Sequence, residues 1–145
     1  MKSASISNIS VHRHAELAGK IESELLRSLA KENIQTKNVS VLFAANSDNG
    51  DLIGGVTGWT SYGWLLVKTL WVSETLRGSG IGKQLMLAAE KEGKKLGCHS
   101  AWLDTSSSDA RSFYMKLGYI DFGILENGPD RLPEFHNRWF MKKAL

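Results

Sequence analysis

The chain has 145 residues, 42% hydrophobic and 23% charged, which is enough for one good core and leaves little for a second domain. Its 18 basic and 15 acidic residues give a net charge of +3, which suits an anionic ligand; with no long basic run and no basic-aromatic RNA motif, it does not argue for nucleic acid. One cysteine, Cys98, excludes an internal disulfide and a cysteine-based metal site, and no apolar run reaches the roughly 20 residues that span a bilayer. The start, Met1-Lys2-Ser3-Ala4-Ser5, lacks the apolar centre of a signal peptide, so a single cytoplasmic domain, 1–145, is expected. Histidines 12, 14, 99 and 136 are scattered, and no metal is expected.

In chain order, Ile6, Ile9 and Val11 predict a weak first strand, and Leu17, Ile21, Leu25 and Leu29, four residues apart, predict an amphipathic helix from Glu16 to Glu32. Val39 to Ala45 reads as a strand, closed by a turn in which Asn49-Gly50 supplies positive φ angles. Leu52 to Trp59 and Trp64 to Val72 continue an antiparallel meander through the turn Thr60-Ser61-Tyr62-Gly63. A glycine-rich loop follows, then a long helix marked by Ile81, Leu85, Ala88, Ala89 and Leu96 and stopped at Gly97. His99 to Thr105 is a strand, Ser106-Ser107-Ser108 offers helix caps, and Asp109 to Leu117 is a short helix stopped at Gly118. Tyr119 to Leu125 and Arg138 to Leu145 close the chain, separated by a loop holding both prolines, Pro129 and Pro133. Cys98, opening its strand, reads as a small buried hydrophobe.

The segment Leu70-Trp71-Val72-Ser73-Glu74-Thr75-Leu76-Arg77-Gly78-Ser79-Gly80-Ile81-Gly82-Lys83 carries the most chemistry. A strand breaks there into a glycine loop that opens a helix, where unpaired N–H groups and the helix dipole favour phosphate. A Walker loop fails, because Gly82-Lys83 is followed by Gln84 and Arg77 stands where its first glycine belongs; a dinucleotide fingerprint fails because its third glycine comes one residue early. A turn that binds nothing is the bland alternative. The spacing Arg77-x-x-Gly80-x-Gly82 instead resembles the acetyl-CoA diphosphate loop of the GNAT superfamily of N-acetyltransferases. About thirty residues on, Ala110-Arg111-Ser112-Phe113-Tyr114-Met115-Lys116-Leu117-Gly118-Tyr119 resembles that family's A-x-x-F-Y-x-K-x-G-F/Y helix, and Arg138-Trp139-Phe140-Met141-Lys142-Lys143 resembles the end of its small bacterial members.

The resemblance implies an α/β (α+β) fold: a central mixed, mostly antiparallel sheet of six to seven strands, flanked by about four helices and splayed between the fourth and fifth strands. It implies acetyl-CoA as cosubstrate, with Leu70, Trp71 and Val72 along the pantetheine and Arg77, Gly78, Ser79, Gly80, Ile81, Gly82 and Lys83 at the diphosphate. Ser107, standing where the family often has asparagine, and Ser112 are further cofactor contacts. Homodimerisation is common in the family and is expected on that ground alone.

Acetyl transfer to an amine needs a deprotonated nucleophile, stabilisation of the oxyanion and a proton for the departing thiolate. Tyr114 is the expected donor to sulfur, although helical spacing alone would make it core. Asp104 is the expected catalytic carboxylate near the acceptor. The base is left open among Glu74, Asp104, Glu126, Glu134, His136 and a water chain. Trp59, Tyr62 and Trp64, clustered at a turn, are expected to border the acceptor pocket by cation–π contact, with His136 a further acceptor contact. The acceptor is expected to be a small-molecule or peptide amine, with neither membrane nor nucleic acid as partner. A non-catalytic CoA sensor or scaffold would share the same loop, and a tRNA-directed enzyme draws only on the basic pI.

Overall fold

The computed structural model describes residues 3–32 and 38–145, and the chain divides into two compact units, Met1–Gln35 and Thr36–Leu145. In the first unit the weak strand expected at Ile6, Ile9 and Val11 is not formed: residues 3–10 have no regular secondary structure. A ring nitrogen of His14 donates to the Ile9 carbonyl at 2.8 Å, and the Arg13 N–H donates to the Ser10 carbonyl at 2.9 Å. These local bonds draw the segment into a 3₁₀ turn, Val11–Arg13, that leads directly into helix α1, His14–Glu32. Glu16–Lys20 and Glu24–Arg27 pair along α1 at 3.6 and 3.3 Å, each exposed and contributing about 0.5 kcal/mol at most.

The second unit is a six-stranded sheet in the order β1-β2-β3-β4-β6-β5. Its strands are β1 (Ser40–Asn46), β2 (Leu52–Ser61), β3 (Trp64–Val72), β4 (Ser100–Thr105), β5 (Ile120–Glu126) and β6 (Asn137–Ala144). Every pairing is antiparallel except β3 with β4. The hairpin geometry expected of Asn49-Gly50 appears elsewhere. In the β1–β2 loop only Gly50 has a positive φ, whereas the two-residue β2–β3 turn takes positive φ at both Tyr62 (+48°) and Gly63 (+81°). Helices α2 (Ile81–Lys95) and α3 (Ser108–Lys116) end close to where the sequence predicts, before Gly97 and Gly118. They make three α-helices in all among the described residues, where about four were expected.

Strand alternation explains the core. Leu65 and Val67 of β3 and Ala101 and Leu103 of β4 are buried, while Leu66 and Trp102 between them face the other side of the sheet. Helix α2 lies across β1, β2 and β3 and buries Leu85, Met86 and Ala89. Each large apolar side chain removed from water this way contributes roughly 1.5–3 kcal/mol.

One irregularity creates the site. Parallel pairing of β3 with β4 stops after Trp64–Ser100, Leu65–Ala101 and Leu66–Trp102. Immediately beyond, Lys68 is the extra residue of a bulge against β2, because Thr57 pairs with Thr69 but Gly58 with Val67. Bulges bend and twist a strand, and from there residues 67–72 of β3 and 103–105 of β4 have no partner in each other. This is the expected splay; it falls between β3 and β4, the fourth and fifth strands only if the unformed first strand is counted.

Candidate active site

Because β3 and β4 are parallel, both end at the same edge of the sheet, the open end of the splay. The glycine loop after β3 and the start of α3 after β4 meet there, and so does the β5–β6 loop, since β6 runs antiparallel to β4. Ligands of open parallel sheets bind outside the carboxyl ends of diverging strands for this reason.

After β3 the chain makes a 3₁₀ turn, Glu74–Leu76, and reaches Gly78 (φ +82°) and Gly80 (φ +90°), the residue that caps α2 without a side chain. Both glycines hold a backbone that L side chains rarely adopt, and a Cβ on either would meet nothing within 4 Å, so the surface of the loop is open. The first helical hydrogen bond is Gln84 N–H to Gly80 carbonyl at 3.0 Å. The N–H groups of Ile81, Gly82 and Lys83 therefore precede the helical ladder and present a positive, donor-rich end. Ser79 is held by its hydroxyl donating to the Leu76 carbonyl, and Arg77 Nε reaches back to the Val72 carbonyl at 3.4 Å.

Helix α3 is seated against this loop. A Cβ on Gly82 would come within 3.3 Å of the Phe113 ring, so α3 leans on the first turn of α2. Ser107 caps α3, its Oγ accepting from Ala110 N–H at 3.1 Å, which leaves its O–H and one lone pair for a cofactor; Ser112 is exposed on the same helix. Tyr114, the residue after Phe113, is 8% exposed and packs edge-on against Phe113 at 5.2 Å and Tyr119 at 5.8 Å. Burial, and then the charge of Asp104, push its phenol up to about 12. Its hydroxyl has no hydrogen-bond partner among the described residues, although a buried polar group ordinarily has one. Tyr119 is fixed from behind: its hydroxyl donates to buried Glu90 at 2.9 Å, whose other oxygen accepts from Lys143 at 2.6 Å.

On the β4 side of the splay, Arg138 Nε and one terminal guanidinium nitrogen hold Oδ1 of Asp104 at 2.9 and 2.7 Å, and Oδ2 has no partner among the described residues. His136 is half-buried, with Nε2 3.2 Å from Ser106 Oγ. In the sequence Ser106 looks like one more capping serine, and Arg138 like part of a closing strand. No spacing signal links residues 30 or more apart; only the β4–β6 register, Thr105 opposite Trp139, brings them together.

The structure does not bring Trp59, Tyr62 and Trp64 to this end. Trp64 opens β3, eight residues and about 26 Å of strand from Val72, Tyr62 is in the β2–β3 turn, and Trp59 of β2 pairs with Leu66, about 20 Å of strand short of Val72. The Trp59 ring carries the chain's own Lys68, Nζ 5.1 Å from its centroid, and Trp64 packs edge-on against His99 at 5.4 Å, so the cation–π site imagined for an acceptor at Trp59 is filled internally. Trp64 does line an aromatic groove of about 630 Å³ with Trp102, Phe122, Phe140 and Lys142. Cys98 is buried as expected, and burial pushes its thiol up, which disfavours a thiolate relay. Among the described residues no three His, Cys, Asp or Glu side chains gather as metal ligands, and no helix is long and apolar enough to cross a membrane.

Residues 10–119 match the acetyltransferase (GNAT) family. The chain is 40% identical over 79 residues to acetyltransferase Atu2258 of Agrobacterium fabrum, a match covering 54% of this chain and 58% of that protein. It is 32% identical over 100 residues to a blasticidin-S acetyltransferase of Streptomyces morookaense, covering 67% and 74%. The crystal structure of an acetyltransferase from Bacillus cereus superposes with a TM-score of 0.78 at 30% identity, covering 98% of each chain.

Proposed function

Because the chain belongs to the acetyltransferase (GNAT) family, we propose that it transfers an acetyl group from acetyl-CoA to a primary amine of a small molecule or peptide, directly, with both ligands bound at once. The observation that carries this reading is the hydroxyl of buried Tyr114, without a partner among the described residues, on the helix that follows the end of β4 where β4 has lost its pairing with β3. Unpaired main-chain groups and a buried hydroxyl are costly unless a ligand or water satisfies them.

Acetyl-CoA supplies an acyl group activated as a thioester. The N–H groups of Ile81, Gly82 and Lys83, with the side chains of Arg77 and Lys83, hold the diphosphate, and Gly78, Ser79 and Gly80 let the backbone approach it. The open edge of Leu70, Trp71 and Val72 holds the pantetheine arm, Arg77 giving up its contact with the Val72 carbonyl, and the Val72 N–H faces the thioester oxygen. Ser107, through its O–H, and Ser112 flank the arm from α3.

Tyr114 acts at sulfur by donating a hydrogen bond. A phenol near 12 facing a thiol near 8.5 would hand over its proton only at a cost of about 5 kcal/mol, so it keeps the proton and stabilises the thiolate. Asp104, held by Arg138, offers Oδ2 to the ammonium of the acceptor.

Calorimetry with acetyl-CoA, followed by a thiol-reagent assay over a panel of amines, tests this reading. The panel comprises blasticidin S, an aminoglycoside, an amino acid and a peptide with a free N-terminus. The expected result is CoA release that requires an amine. No heat of binding, or release independent of every amine, contradicts it.

A further inference from the structure

An alkylamine is protonated at neutral pH, and its nitrogen cannot attack a thioester until a proton leaves. None of the groups assigned so far takes that proton. The open stretch of β3, residues 67–72, has neither carboxylate nor imidazole. Asp104 already shares its charge with Arg138 and is placed to hold the ammonium.

We propose that His136, acting through the Ser106 hydroxyl, is the group that accepts the amine proton; the inference rests on the acetyltransferase reading above. Ser106 is the residue after β4, two beyond Asp104, at the open end of the splay. The His136 ring is brought to it by a backbone fixed on both sides: the His136 N–H donates to the Pro133 carbonyl at 3.2 Å, and the His136 carbonyl accepts from Asn127 N–H at 2.8 Å. Asn127 Nδ2 also donates to the Pro133 carbonyl at 3.0 Å, closing the loop on itself. With Nε2 3.2 Å from Ser106 Oγ, the ring keeps Nδ1 free of partners among the described residues and able to exchange with water. Imidazole is the side chain suited to such a task near neutral pH.

The amine proton passes to Ser106 Oγ as the serine hydroxyl proton passes to Nε2 of His136. The nitrogen lone pair then forms the C–N bond, and the C–S bond breaks with its electrons left on sulfur beside the Tyr114 hydroxyl. The second nitrogen proton reaches the thiolate through solvent, and the imidazolium returns its own proton to water.

His136→Gln, His136→Ala and Ser106→Ala are compared with the wild type by acetyl-CoA calorimetry, thermal unfolding and turnover of the panel amine that the wild type acetylates fastest. Both His136 variants are expected to lose about 100-fold in kcat and Ser106→Ala about tenfold, with acetyl-CoA affinity within twofold. Added 4-methylimidazole restores turnover to His136→Ala, an effect that a purely structural histidine would not show. Unchanged kcat in His136→Gln overturns the proposal, as does a loss in His136→Ala that imidazole leaves untouched while folding and acetyl-CoA binding are intact. A wild type that binds no acetyl-CoA overturns the acetyltransferase reading and this inference with it, so the wild-type titration tells the two failures apart.

Discussion

The two ends of β3 differ in how far the protein satisfies itself. At the Trp64 end the chain answers its own groups: Lys68 covers Trp59, Thr60 exchanges hydrogen bonds with Val39, and the His99 N–H donates to the Gly63 carbonyl. At the Val72 end the strand edge, the first amides of α2, the Tyr114 hydroxyl and Oδ2 of Asp104 lack partners among the described residues. Aromatic density marks the first end in the sequence, yet unsatisfied polar groups mark the second, and the second is where ligand chemistry can act.

The sharpest way to break this contrast is to obstruct the loop. Gly80→Val forces a β-branched residue into φ +90° at the cap of α2, a strain of about 1–3 kcal/mol in a segment that must also approach the diphosphate. Acetyl-CoA affinity should fall about 100-fold by calorimetry; unchanged affinity would remove the loop from the site. Tyr114→Phe should lower kcat about 30-fold while leaving the acetyl-CoA Kd within twofold. Equal kcat in variant and parent would return Tyr114 to the core.

Lys143→Met tests the support behind Tyr114. It leaves Glu90 charged, buried and, among the described residues, held only by Tyr119, which should cost about 3 kcal/mol of stability in denaturant unfolding. A pH series isolates Tyr114 itself. Its phenol lies near 12 in the folded chain and near 10 when unfolded, so the folded state holds the proton more tightly. That contribution is complete below pH 10 and is lost as pH rises toward 12, up to about 3 kcal/mol; Tyr119, raised by burial and by Glu90, adds in the same direction. Tyr114→Phe should flatten part of this alkaline slope. The smallest effect is expected at the other end of β3: Trp59→Ala should leave kcat and acceptor KM within twofold, and a large rise in KM would move the acceptor back toward the turn.

What was legible in the sequence was local. Gly97 and Gly118 announce helix ends, Ser107 announces a cap, and the spacing of Leu85 and Ala89 announces the buried face of α2, because each depends on neighbours in the chain. What depends on partners far away in the chain does not show there. Ile6, Ile9 and Val11 have strand-like residues but no strand forms there, and Trp59, Tyr62 and Trp64 cluster at a turn without saying which end of β3 the cofactor loop occupies. Ser106 and His136 meet only through antiparallel pairing across thirty residues.

A crystal structure of the protein with coenzyme A bound tests the central claim most directly. The account predicts the thiol within hydrogen-bonding distance of the Tyr114 hydroxyl, the pantetheine arm along residues 70–72 and the diphosphate at the amides of 81–83. A sulfur lying away from Tyr114, with β3 and β4 closed against each other, would contradict it.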